Sequence, residues 1–95
     1  MKVAFKPEIE MSIRRAVKPG NFWALDELIA EICEKDPSLR GQCSVIVIDE
    51  YHRRLSMMPR QEMRELYRRC YKEESDANKD WLLGEIVESI EAEQN

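Results

Sequence analysis

Four prolines, Pro7, Pro19, Pro37 and Pro59, punctuate the chain, and between them apolar residues recur at the spacing of an α-helix rather than a strand. Proline lacks the backbone N–H that an inner helical turn donates, so each one marks a place where a helix begins or ends. After Pro7, residues Ile9, Ile13, Ala16 and Val17 share one side until Pro19-Gly20 breaks the run. Asn21 is a candidate cap for a second helix from Phe22 to about Lys35, striped by Phe22, Leu25, Leu28, Ile29 and Ile32. Asp36-Pro37-Ser38 and Gly41 mark the next loop. Met58-Pro59 ends a third element and opens a fourth, whose buried face is Met63, Leu66, Tyr67 and Cys70 up to about Glu74. A last helix is expected from about Ser75 or Asp76, with Leu83, Ile86, Val87 and Ile90 as its stripe.

The third element is the ambiguous one, because Val45 to Ile48 is a run of four β-branched residues. As a strand it would need a ladder partner, and only Lys2 to Phe5 looks extended elsewhere. As a helix capped by Ser44, it presents Val45, Ile48, Tyr51, His52 and Leu55 as one stripe and continues the texture of its neighbours. The spacing therefore predicts an all-α fold, a compact bundle of about five short helices forming a single domain over residues 1–95. An α+β variant with a short strand at 45–48 is the alternative.

At 95 residues the chain has room for about one small domain, and 43% apolar with 36% charged residues is a globular balance rather than a disordered one. No stretch approaches the ~20 apolar residues of a membrane span, and MKVAFKPEIE lacks the apolar run of a signal peptide, so a soluble cytoplasmic protein with no membrane partner is expected. The odd set of Cys33, Cys43 and Cys70 argues for reduced thiols. Together with the single histidine, His52, they contain none of the close ligand pairs of a structural zinc site, so no metal is expected.

Val45 to Arg54 reads VIVIDEYHRR and resembles the nucleotide-hydrolysis box of DEAH-type helicases, where a buried strand delivers an acidic pair to magnesium. That chemistry also needs a phosphate-gripping loop upstream, G-x-x-x-x-G-K-[ST], and neither Gly20 nor Gly41 belongs to one. The motif is orphaned. On a helix, Asp49 and Glu50 would point away from the stripe as ordinary solvated charges, with His52 on it. There is no G-x-S-x-G and no H-E-x-x-H, so neither catalysis nor a cofactor is expected.

Charge is unevenly distributed. Residues 1–51 sum to −2, residues 52–72 to +5 and residues 73–95 to −7, within a net −4. Arg60, Arg64, Arg68 and Lys72 recur every four residues, and Arg53 and Arg54 end the preceding element, which outlines a helix-turn-helix that would read nucleic acid. Trp23 and Trp81 fall at helix starts, off their own stripes, and Trp81 shares its side with Glu85 and Glu88, as anchors of a protein interface do. The favoured expectation is a small non-catalytic adaptor, regulator or inhibitor that docks on a protein partner, a character shared with stand-alone bacterial or phage-encoded modulators. The alternatives are the nucleic-acid reader and an acidic mimic of nucleic acid presenting Glu85, Glu88, Glu91 and Glu93. Helices this short can also complete their stripes by self-association, so a homodimer is compatible with the pattern.

Overall fold

The computed structural model describes residues 7–93, and among them helices alternate with short connections and no strand occurs. α1 (Pro7–Ala16) leads through Pro19-Gly20 to α2 (Trp23–Lys35), and a 3₁₀ turn, Pro37–Leu39, leads into the long α3 (Arg40–Met57). Met58-Pro59 then separates α3 from α4 (Arg60–Tyr67), and α5 (Trp81–Glu93) closes the fold. The all-α bundle expected from the spacing is what forms, and Val45 to Ile48 is helical within α3. Lys2 to Phe5, the partner of the alternative strand, lies outside the described residues.

α3 is the central helix, with α1, α2 and α5 all packed on it and α4 packed on α5. The protein measures 42 × 28 × 18 Å, about two helix layers thick for helices ~10–12 Å across. The core holds Ile13 and Val17 from the first segment, Leu25 from α2, Met63 from α4, and Leu83, Ile86, Val87 and Ile90 from α5. The α5 stripe is buried as its spacing predicts.

Several helix starts differ from the sequence reading. Asn21 caps nothing; its N–H donates to the Lys18 carbonyl at 2.8 Å, and Phe22 takes the cap position of α2 without a side-chain bond. α3 begins four residues before Ser44, which is exposed within the helix and donates its hydroxyl to the Arg40 carbonyl at 3.2 Å. The real local device is Asp36, whose carboxylate accepts from the Ser38 amide at 3.1 Å and hydroxyl at 2.6 Å, fixing the turn before α3. α4 gives way after Tyr67 to one wide turn, in which the Glu73 N–H reaches back five residues to Arg68 at 2.8 Å. α5 starts at Trp81, not at Ser75 or Asp76, because Asp80 supplies the cap and residues 75–78 are spent in a turn closed by Asn78 N–H to Ser75.

The largest correction is the phase of α3. Val45 is 67% exposed and Ile48 49% exposed, while the buried set is Cys43, Ile46, Val47, Glu50, Tyr51 and Leu55. The stripe is rotated because it runs through a carboxylate: Glu50 is 1% exposed, not solvated. Arg14 of α1 reaches it at 2.9 Å, and Arg54 and Arg53, one turn along α3, reach it at 2.7 and 3.4 Å. Arg54 also donates to the Arg14 carbonyl, so the cluster ties α1 to α3. Charge-assisted hydrogen bonds of this kind are what make a buried carboxylate tolerable. Asp49 remains exposed and shares Arg14 at 2.9 Å.

Burial pushes the Glu50 carboxyl towards the neutral form, but hydrogen bonds from Arg54 and Arg14 and the charges of Arg53 and Arg54 outweigh it and hold its pKa below the usual carboxylate range. Its contribution to stability is therefore complete above the unfolded value of ~4.3 and is lost as pH falls from there through the lower folded value. Glu50→Gln is expected to lose about 2 kcal/mol in urea unfolding at neutral pH, less than for a fully buried pair because the arginines keep access to water. The gap between variant and wild type should narrow as pH falls below the unfolded value of ~4.3; a gap independent of pH would refute the clamp.

Candidate docking groove

The site is set by a second buried carboxylate. Asp80 is nearly inaccessible, and its two oxygens accept three hydrogen bonds. Oδ1 takes the Leu83 amide at 3.0 Å, capping α5, while Oδ2 takes the Tyr51 hydroxyl at 3.0 Å and the Gly20 amide at 2.9 Å. Its own N–H donates to the Cys70 carbonyl at 3.0 Å. One residue thus joins the α1–α2 loop, the middle of α3, the wide turn after α4 and the start of α5. Gly20 can make this bond because it adopts φ +95°, and a Cβ there would stand 2.9 Å from the Cys70 sulfur. The Tyr51 hydroxyl is held protonated, its pKa pushed far above the ordinary value by burial first and by the Asp80 charge second.

Capping at Asp80 places Trp81 at the first residue of α5, where it remains 53% exposed. Tyr71 supports it edge-on, with ring centroids 5.6 Å apart, and Lys79 lies over both rings at 5.4 and 5.3 Å. Tyr71 can sit so low because it packs on Gly84, where an added Cβ would meet its ring at 2.5 Å. Across from Trp81, the rotated phase of α3 brings Ile48 to the surface beside the buried Val47, and α2 offers Phe22 and Ile29. These three helices enclose a groove of ≈ 460 Å³ with α3 at its base. Its polar lining comprises Asp26 from α2, Arg40 and Ser44 from α3, and Lys79, Asp80 and Glu85 from the α5 end.

The residues singled out in the sequence are dispersed by the fold. Trp81 and Glu85 line the groove, whereas Trp23, 61% exposed, does not. Glu88 turns towards α4 and accepts the Tyr67 hydroxyl at 2.8 Å. That hydroxyl is pushed up to about 12, by burial and by the Glu88 carboxylate. Glu91 pairs with Arg64 at 3.1 Å, and Glu93 faces His52 at 3.8 Å. The basic set is likewise engaged within the chain: Arg53 and Arg54 with Glu50, and at the surface Arg64 with Glu91, Arg68 with Glu73 at 2.7 Å, and Lys72 over the Tyr67 and Tyr71 rings. Arg60 is exposed and has no ion pair among the described residues.

Cys33 and Cys43 are buried, and burial, with Cys33 beside it, raises the Cys43 thiol; Cys70 packs against Gly20. Ser56, His52 and Glu93 form a line, with Ser56 Oγ 3.4 Å from His52 Nδ1 and Glu93 3.8 Å from Nε2. The line lies on the outer face of α3, where the helix's own bonds occupy the backbone amides and leave no donors for an oxyanion. What the sequence reading missed in the groove is Ile48, Phe22 and Ile29, all assigned to the core. The available signal was the arginines three and four residues after Glu50, the spacing at which a helix pairs opposite charges.

Comparisons of the chain with protein-family models, curated proteins and solved structures found no match. The groove is therefore read from its own geometry. Gly84→Ala is expected to lose about 1–2 kcal/mol, since displacing Tyr71 outweighs the ~1 kcal/mol that alanine brings to a helix. The near-ultraviolet circular dichroism of the Tyr71–Trp81 pair should weaken in the same variant. A stabilised Gly84→Ala protein with an unchanged aromatic signal would contradict the packing.

Proposed function

We propose that this protein acts without catalysis, by docking a protein partner in the groove between α2, α3 and α5, with Trp81 and Ile48 as apolar anchors. The observation that carries the reading is their position. Two large apolar side chains, each about half exposed, border a concave surface on a fold that closes Leu83, Ile86, Val87 and Ile90 of α5 into the core. Aromatic and branched anchors around a pocket, rimmed by charge, are the composition of interface hot spots. The reading is also supported by the chemistry of the lining. Ser44 is occupied by a backbone carbonyl, and the Tyr51 hydroxyl beneath is committed to Asp80, so neither is free as a nucleophile or base.

The nucleic-acid reading has less support because Arg53, Arg54, Arg64 and Arg68 of the basic set already pair with carboxylates of the same chain, which partly neutralises their charge towards a phosphate backbone. Acidic mimicry fares similarly, since Glu88 and Glu91 face α4 rather than a common outer surface.

Affinity capture from the native host should separate these readings. Ile48→Glu and Trp81→Ala are each expected to weaken retention of the wild-type partner about thirtyfold or more, the ~2 kcal/mol scale of a hot-spot residue, while Arg60→Glu with Arg69→Glu retains it. Helical circular dichroism should be unchanged in all of them. Retention indifferent to both groove variants, or lost only with the arginines, would overturn the proposal.

A further inference from the structure

We infer that the occupant of this groove is a positively charged amphipathic helix of the partner protein, an inference that rests on the docking reading above. The argument is charge complementarity laid over an apolar track. Both flanking helices are acidic: α2 carries Asp26, Glu27, Glu31 and Glu34 against Lys35 alone, and α5 carries Glu85, Glu88, Glu91 and Glu93 with no cation. Asp26 and Glu85 line the groove from the two opposite flanks, both exposed and neither in an ion pair among the described residues. Of the two cations in the lining, Lys79 is held by Asp76 at 3.1 Å and by the Tyr71 and Trp81 rings. Only Arg40, at the first residue of α3, opposes the two open carboxylates.

The apolar track has the length of a short helix. Phe22 and Ile29 are seven residues apart, which along a helix is about 10 Å or two turns. Ile48 and Trp81 face the same space, so an entering helix with apolar side chains at i, i+3, i+4 and i+7 would meet aromatic and aliphatic surface on three sides. Lysines or arginines beside that stripe would then lie against Asp26 on one flank and Glu85 on the other. The long stems of such residues cover apolar rims while their charges stay wet, which suits a groove this open.

Two synthetic capped peptides of roughly 14 residues, sharing one leucine pattern at helical spacing, test the assignment; polar positions are lysine in one and glutamate in the other. Titration into isotope-labelled protein is read by amide chemical shifts. The lysine peptide is expected to shift residues around Phe22, Ile29, Ile48 and Trp81 and to bind at least about tenfold tighter than the glutamate peptide at low salt. Asp26→Lys with Glu85→Lys should reverse that preference, whereas Glu62→Lys with Glu65→Lys, on exposed α4 positions, should leave it unchanged. Equal or tighter binding of the glutamate peptide in the groove overturns the charge assignment while leaving the docking reading intact. Shifts from the lysine peptide confined to other surfaces, or binding of neither peptide, overturn it as well. Concentration-dependent self-association abolished by Ile48→Glu would make the occupant a second copy of this chain and overturn it too.

Discussion

The carboxylate of Asp80 is the interaction on which the rest of the structure depends. A carboxylate with almost no access to water survives only if donors replace its hydration, and here one comes from its own helix start and two from distant parts of the chain. Hydrogen bonds to a charged acceptor contribute about 1.5–3 kcal/mol each, so the trio outweighs any single surface ion pair in this protein. Its geometric effect is as large. The α1–α2 loop must bring a glycine amide to the same oxygen as the Tyr51 hydroxyl, and α5 can begin only at the next residue. Trp81 stands at the groove because the acid before it is anchored beneath.

The two buried acids of the fold are satisfied in different ways, and the difference shapes the exterior. Asp80 is held by neutral donors, two backbone amides and a phenol. Glu50 is held by three guanidinium groups. The second solution consumes cations, as do the pair of α4 with α5 and the Arg68–Glu73 pair of the wide turn. A chain whose middle segment is strongly basic in sequence thus presents much of its positive charge to itself. The carboxylates that form no ion pair among the described residues, on α2 and at Glu85, then dominate the surface around the groove, and the proposed preference for a cationic partner follows from that internal packing solution.

Much of this architecture is legible in the residues, and the failures share one cause. Leu83, Ile86, Val87 and Ile90 mark the buried face of α5 because nothing polar interrupts their spacing, and Pro59 separates α3 from α4 through chemistry that needs no tertiary context. α3 is misphased because its true stripe contains Glu50, and a stripe scored on apolarity rejects a carboxylate even with Arg53 and Arg54 nearby, while its third counter-charge, Arg14, lies 36 residues away. The start of α5 is missed because Asp80 reads as one more acid in an acidic stretch until Tyr51 and Gly20 arrive from elsewhere. The groove follows the same rule: Trp81 was visible as an off-stripe aromatic, whereas Ile48 emerges only after the phase of α3 has been corrected by a buried charge.

The amide of Gly20 offers the most direct test of this account, since it lies in a loop and donates to the Asp80 carboxylate. Native-state hydrogen exchange should find it protected to the same free energy as the Val47 amide in the middle of α3, opening only when the whole domain unfolds. A Gly20 amide that exchanges through a local opening, orders of magnitude faster than Val47, would show that the loop is not fastened to the start of α5 and that the groove lacks the anchor described.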